Sequence, residues 1–128
     1  MNLLLDTHSL VWLSAGIKLG PKTLQLIKEA DSVFVSALSI FELRLKQAKG
    51  KFPEAEDVID SLETMGLEVL NLTSSQTKGY KIFSPRNKDP YDNGLVTIAI
   101  TQLMPFVTAD KSILSLNEAS LDVINARQ

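Results

Sequence analysis

Apolar positions along the chain fall into short runs of strand length separated by stretches with helical spacing. Residues 2–5 are an apolar run that stops at Asp6, and residues 32–36 (SVFVS) are rich in β-branched and apolar types, so both are predicted as strands. Between them, Pro21 after Gly20 suits a helix start, and Leu24, Ile27 and Ala30 recur at helical spacing before Asp31. A helix is predicted over 37–49 with Leu38, Phe41 and Leu45 on one stripe, ending at Gly50. Another covers 54–65, with Val58, Ile59, Leu62 and Met65 inward and Gly66 as the stop, and residues 68–72 (EVLNL) follow as a third strand. Residues 73–83 form a weaker helix interrupted by Gly79, and 84–88 (SPRNK) a loop. Asp89 and Pro90 then supply an N-cap and a first-turn proline for a helix reaching Met104, within which Gly94 costs roughly 1 kcal/mol relative to alanine. Pro105 ends it. Residues 106–109 read as a buried strand and 121–125 (LDVIN) as a last one.

Strands alternating with helices imply βαβ units, hence an α/β fold: a three-layer α/β/α sandwich around a mostly parallel sheet. The 128 residues suit a single domain over 1–128. In such sheets ligands gather beyond the carboxyl ends of the strands.

Composition narrows the chemistry. With 45% hydrophobic and 22% charged residues the chain matches a soluble globular protein, and no stretch approaches the roughly 20 apolar residues of a spanning helix. Residues 1–5 have no basic region and meet Asp6 too early for a signal peptide, so a cytoplasmic location is expected. The absence of cysteine excludes disulfides, thiolate zinc sites and cysteine nucleophiles, and the single His8 excludes a site needing two imidazoles. Any metal must therefore be held by carboxylate oxygens. The net charge of −2 offers no whole-molecule attraction to nucleic acid. Local patches differ: Arg44, Lys46, Lys49 and Lys51 form one basic stretch, Lys78, Lys81, Arg86 and Lys88 another, and an acidic block over 54–68 lies between them.

Four acids stand out by position. Asp6 closes the first strand and Asp110 follows FVTA, which in a parallel sheet puts both on one edge. Glu42 falls beside the stripe of Leu38 and Leu45, and Asp92 shares a face with Val96, Ala99 and Leu103. Each also has a purely structural reading. Asp6 and Asp110 suit helix caps, Ser39 with Glu42 fits a capping box with Lys46 at ion-pair spacing, and Asp92 complements a helix dipole. Together, however, four carboxylates at one edge repel one another and must protonate, find cations or bind metal. Oxygen donors suit Mg²⁺ or Mn²⁺, and such a site suits phosphodiester hydrolysis with water as nucleophile.

The segments LLLDTHSLVWL (3–13), VSALSIFEL (35–43), KDPYDNGLVTIAI (88–100) and FVTADKSI (106–113) resemble the PIN-domain ribonucleases, particularly the VapC-type toxins of toxin–antitoxin pairs. The resemblance spans most of the chain. It implies an α/β/α sandwich, a Mg²⁺ or Mn²⁺ site and cleavage of single-stranded RNA. Carried over by position, Asp6 and Asp92 would touch metal directly, Glu42 and Asp110 would complete the pocket or hold metal-bound water, and Thr108 would steady it by hydrogen bonding. A homodimer and a VapB-type protein antitoxin are also implied, with the acidic helix from Glu54 and the surface around Trp12 as contact candidates. Asn87 and Asn93 occupy places where close relatives carry histidine and arginine, which weakens phosphate positioning. Lys46 and Lys49 are the expected phosphate contacts, and His8 is expected to pack or hydrogen-bond rather than ligate. Two rival readings are a non-catalytic interaction module and, on Asp6, Thr108 and Lys111, a receiver-like phosphoacceptor domain. A receiver's adjacent acidic pair near the first strand is missing.

Overall fold

In the computed structural model, which describes residues 1–83, 89–116 and 120–128, the first strand lies at the centre of the sheet. β1 (Asn2–Leu5) is flanked by β2 (Ser32–Ser36) and then β3 (Leu67–Leu70) on one side, and by β4 (Phe106–Thr108) and β5 (Val123–Asn125) on the other. All four pairings are parallel. These strands lie within two residues of the predicted ones at each end. The parallel α/β architecture expected from the alternation of strands and helices is what the chain adopts.

Period-two alternation divides the apolar residues between two cores. Leu3, Leu5, Val33, Val35 and Val107 face one way, and Leu4 and Phe106 face the other. On the first face pack α1 (Thr7–Ala15), α2 (Pro21–Glu29) and α4 (Ala55–Asp60), contributing Leu10, Leu26 and Val58. On the second lie α6 (Pro90–Thr101) and α7 (Lys111–Leu114), contributing Leu95, Val96, Ile98 and Ile113. Between β2 and α4, α3 (Ala37–Ala48) sends Leu43 into the first core and Leu38 towards the second. Gly94 lets α6 approach α3 closely, because a Cβ there would stand only 2.6 Å from Leu38 Cδ2. No helix among the described residues is long and apolar enough to cross a membrane.

Several expectations need correction. α3 buries Ser39, Glu42 and Leu43, while Phe41 is 64% exposed, so the inward face is rotated away from the Leu38–Phe41–Leu45 stripe. The cause is polar: Ser39 and Glu42 turn inward to meet the buried Thr7. The helix expected to reach Met104 ends at Thr101, and Leu103, in the left-handed region with φ 55°, is 85% exposed. Leu103 therefore shares no buried face with Asp92. The helix predicted over 54–65 keeps α geometry only to Asp60, where the Ser61 hydroxyl donates to the Val58 carbonyl and the chain passes into turns. Gly79, at φ 86°, splits the segment over 73–83 into a 3₁₀ turn (Ser75–Thr77) and α5 (Tyr80–Phe83). In α2, Thr23, Leu26 and Ile27 face inward, whereas Leu24 is exposed. The SPRNK loop, with Arg86, Asn87 and Lys88, lies outside the described residues.

Candidate active site

Strand register explains how the first site residues meet. Leu5 pairs with Val35 on one side and Val107 on the other, so the next residues, Asp6, Ser36 and Thr108, emerge together at the carboxyl edge. Each serves the backbone there. Asp6 caps α1, its Oδ1 accepting from the Ser9 amide at 2.7 Å, and Ser36 caps α3 through the Leu38 amide. The Thr108 hydroxyl donates to Asp6 Oδ2 at 2.7 Å and accepts from the Asp110 amide at 3.1 Å. Asp6 is 2% exposed. Burial pushes its carboxyl above the usual range, against the pull of hydrogen bonds from Ser9 and Thr108 and the charge of His8.

Glu42 is buried as well. Its Oε1 accepts from the Thr7 hydroxyl at 2.7 Å, and its Oε2 lies 3.1 Å from Lys46 Nζ, one helical turn on. The expected capping box from Ser39 is not formed, because Ser36 is the cap and Ser39 lies inside the helix, 3.0 Å from the Thr7 hydroxyl. Asp110 caps α7, with Oδ1 accepting from the Ser112 and Ile113 amides and the Ser112 hydroxyl. Burial raises its carboxyl, but those hydrogen bonds and the nearby His8 together hold it below the ordinary value.

Asp92 differs from the others. It is the third residue of α6, half-buried, and among the described residues no group donates a hydrogen bond to its carboxylate. Its pKa is raised from 3.8 to about 7, by burial first and then by repulsion from Asp89, Asp110, Asp6 and Glu42. That repulsion brings the four acids named from the sequence into one electrostatic neighbourhood, and adds a fifth. Asp89 is more than the N-cap expected of it: it also presses on Asp92, a role signalled by its position three residues earlier on the same helix face. Thr7 was likewise missed, although its place next to Asp6 was a signal.

Charges of opposite sign lie close by. His8 acts on both Asp6 and Asp110. A cleft of about 460 Å³ is lined by Glu42 and Asp89 together with Lys46, Lys49, Lys51 and Tyr91. Asn93 is 3% exposed, with its carbonyl accepting from the Thr97 hydroxyl.

The donors suit a hard cation by type: carboxylate and hydroxyl oxygens, no thiol, a single imidazole, and excess negative charge around an unpartnered Asp92. They do not form a closed cage. Among the described residues no three acidic or imidazole side chains are arranged to hold a metal ion by themselves.

A family model described as the PIN domain matches residues 3–118. No curated protein matches the chain. Among solved structures, the chain is similar to one in VapBC2 from Rickettsia felis bound to promoter DNA, with TM-score 0.73, 17% identity and 98% of each chain covered. It is also similar to one in DNA-bound VapBC from Salmonella typhimurium, with TM-score 0.71, 14% identity and 97% of each chain covered. A third is in VapBC-5 from Mycobacterium tuberculosis, of the VapBC family of toxin–antitoxin systems, with TM-score 0.68 and 19% identity over 96% of this chain and 97% of that one. At such identities the likeness is one of fold.

Proposed function

Given that this chain belongs to the PIN-domain family, we propose that it is a VapC-type toxin: an endoribonuclease that hydrolyses RNA phosphodiester bonds with water and a Mg²⁺ or Mn²⁺ ion. The observation that carries this reading is Asp92, a carboxylate without a donor, pressed upward to about 7 among four other acids. A cluster with that much uncompensated charge is costly unless a cation occupies it. In its biological setting the toxin is neutralised by a VapB-type antitoxin and acts as a homodimer. The VapBC complexes to which the fold is similar support the antitoxin assignment.

Asp6 and Asp92 would contact the ion, with Glu42 and Asp110 beside them. When bound, a divalent ion lowers the pKa of water and offsets charge developing on phosphoryl oxygens. The protein does the positioning. Thr108 and the Ser9 amide fix both oxygens of Asp6, so its carboxylate is preorganised. Thr7 and Lys46 do the same for Glu42. With the Asp92 carboxyl raised to about 7, cation binding competes with protonation near neutral pH. Lys46 and Lys49 line the cleft that leaves the cluster, where a phosphate backbone would lie.

The test is cleavage of labelled single-stranded RNA by the purified chain with Mg²⁺, with Mn²⁺ and with chelator. Cleavage that needs the metal and is lost in Asp6→Asn, with circular dichroism unchanged, supports the proposal. One observation favours a binding-only module instead: Lys46 already neutralises Glu42, and no closed ligand set exists among the described residues. Metal-stimulated RNA cleavage rejects that alternative, and its absence across all three conditions rejects the nuclease.

A further inference from the structure

The cleft beside the acidic cluster is not uniform. Its lining combines Glu42 and Asp89 from the cluster itself with three lysines that follow one another around the end of α3. Of these, Lys46 is committed to Glu42. Lys49 and Lys51 are exposed and make no ion pair among the described residues, so their charge is available to a ligand. Gly50 between them takes φ 73°, a left-handed turn that brings the chain back beside the helix, where the Lys51 amide donates to the Lys46 carbonyl.

Tyr91 completes the cleft. It follows Pro90 in the first turn of α6, and its amide is held by Asp89 Oδ1 at 2.9 Å, so its backbone is anchored in the same turn that carries Asp92. Its hydroxyl has no hydrogen-bond partner among the described residues, and the residue lines the cleft. An aromatic residue and two uncommitted lysines lining one cleft, next to a carboxylate cluster, match an unpaired nucleotide: stacking surface for the base, positive charge for its phosphate. The volume of about 460 Å³ lies in the range of small-molecule pockets. Paired bases in a duplex are already stacked on both faces, so a ring of this kind excludes them.

We propose, resting on the nuclease reading above, that this cleft is a track for one unpaired RNA nucleotide, in which Tyr91 stacks on the base while Lys49 and Lys51 hold the adjoining phosphate. Tyr91 then determines selectivity for single strands, and the lysines set the position of the chain relative to the acids.

The experiment measures binding rather than turnover. A fluorescent single-stranded RNA, the same oligomer with abasic residues, and an RNA duplex are titrated in two non-cleaving backgrounds: the Asp6→Asn chain with Mg²⁺, and the otherwise unaltered chain in chelator. Expected is a loss of about tenfold in affinity for the intact single strand on Tyr91→Ala, within the range of one stacked base. Tyr91→Phe should bind like the parent, and the abasic oligomer and the duplex should be insensitive to either change. Replacing Lys49 and Lys51 with Gln should lower the salt slope of single-strand binding by roughly 0.7, the value for the one phosphate contact that both lysines share. An equal loss on abasic and intact RNA, or no loss, overturns the stacking role, and an unchanged salt slope overturns the lysine role. If the unaltered protein cleaves RNA with metal while Tyr91→Ala and the lysine variants bind normally, the track is wrong and the nuclease reading stands. If it neither cleaves nor binds RNA, both fall.

Discussion

Replacing Asp92 with Asn removes one negative charge from the cluster while keeping the side chain's size. In the folded protein the Asp92 carboxyl sits at about 7 rather than 3.8, so its ionised form is disfavoured there relative to the unfolded chain. Below pH 3.8 both states are protonated and the residue has no effect on stability. Between about 4 and 7 the unfolded chain gives up this proton and the folded chain does not, so folding loses stability as pH rises, and above 7 the full penalty applies. A displacement of that size corresponds to roughly 4 kcal/mol at about 1.4 kcal/mol per tenfold. Because the carboxylate is partly open to solvent, screening reduces it to about 2 kcal/mol. In metal-free buffer, Asp92→Asn should therefore unfold at a temperature about 8 °C above the parent protein at pH 8, taking roughly 4 °C per kcal/mol for a chain of this length, and at the same temperature as the parent at pH 3.5. Excess Mg²⁺ or Mn²⁺ should close the gap at pH 8 and slightly reverse it, since binding at about a hundredfold excess over the dissociation constant stabilises the parent by about 2.7 kcal/mol, more than the penalty of about 2 kcal/mol. Thermal melts by circular dichroism at both pH values test this. Equal effects at pH 3.5 and 8, or a metal-free parent protein more stable than the variant at pH 8, would refute the burial and carboxylate repulsion that raise Asp92.

Thr108→Val should cost about 1–3 kcal/mol in urea unfolding, because the buried Asp6 Oδ2 and the part-buried Asp110 amide each lose their partner, and RNA cleavage should fall with it. Thr7→Val should cost a similar 1–3 kcal/mol by leaving Glu42 Oε1 buried without a donor, with Lys46→Met adding to the loss less than additively, since both act on one carboxylate. Gly20→Ala should destabilise by about 1–3 kcal/mol, because a Cβ there would overlap the backbone of Gln128. Faster hydrogen exchange at the Lys22 amide, which donates to the Gln128 carbonyl, should report the displacement directly.

Strands could be read from the sequence because their signals are local and sharp. The run over residues 2–5 ends at a charge, and the SVFVS segment ends at a serine that caps the next helix. Helix faces could not be read to the same depth. Hydrophobic spacing puts Phe41 inside and Glu42 at the margin, yet Glu42 is buried and Phe41 is exposed, because a contact 35 residues away in sequence, from Thr7, outweighs the local apolar pattern. The extent of α6 was overstated for a related reason: Val96 and Ala99 continue the buried face correctly, but Pro105 imposes its stop early enough to turn Leu103 out to solvent. At the site, the positions of Asp6 and Asp110 followed from topology alone. The second function of Asp89 did not, since capping already accounted for it.

Capping and the proposed metal-holding role are therefore compatible explanations for these acids. Asp6, Asp89 and Asp110 each accept hydrogen bonds from backbone amides at the start of a helix, so part of their charge is already stabilised without any ligand. Glu42 has a hydroxyl and an ammonium. Those contacts fold the chain and also fix four carboxylates in the electrostatic neighbourhood of a fifth, Asp92, which has no hydrogen-bond donor among the described residues. On the proposed reading, a cation at this edge would gain at Asp92, where the other acids press and no hydrogen bond among the described residues need be given up, while the capped acids need not move to receive it. Removing a cap should thus damage folding and metal affinity together, whereas altering Asp92 should separate them, raising stability in metal-free buffer while lowering affinity for the ion.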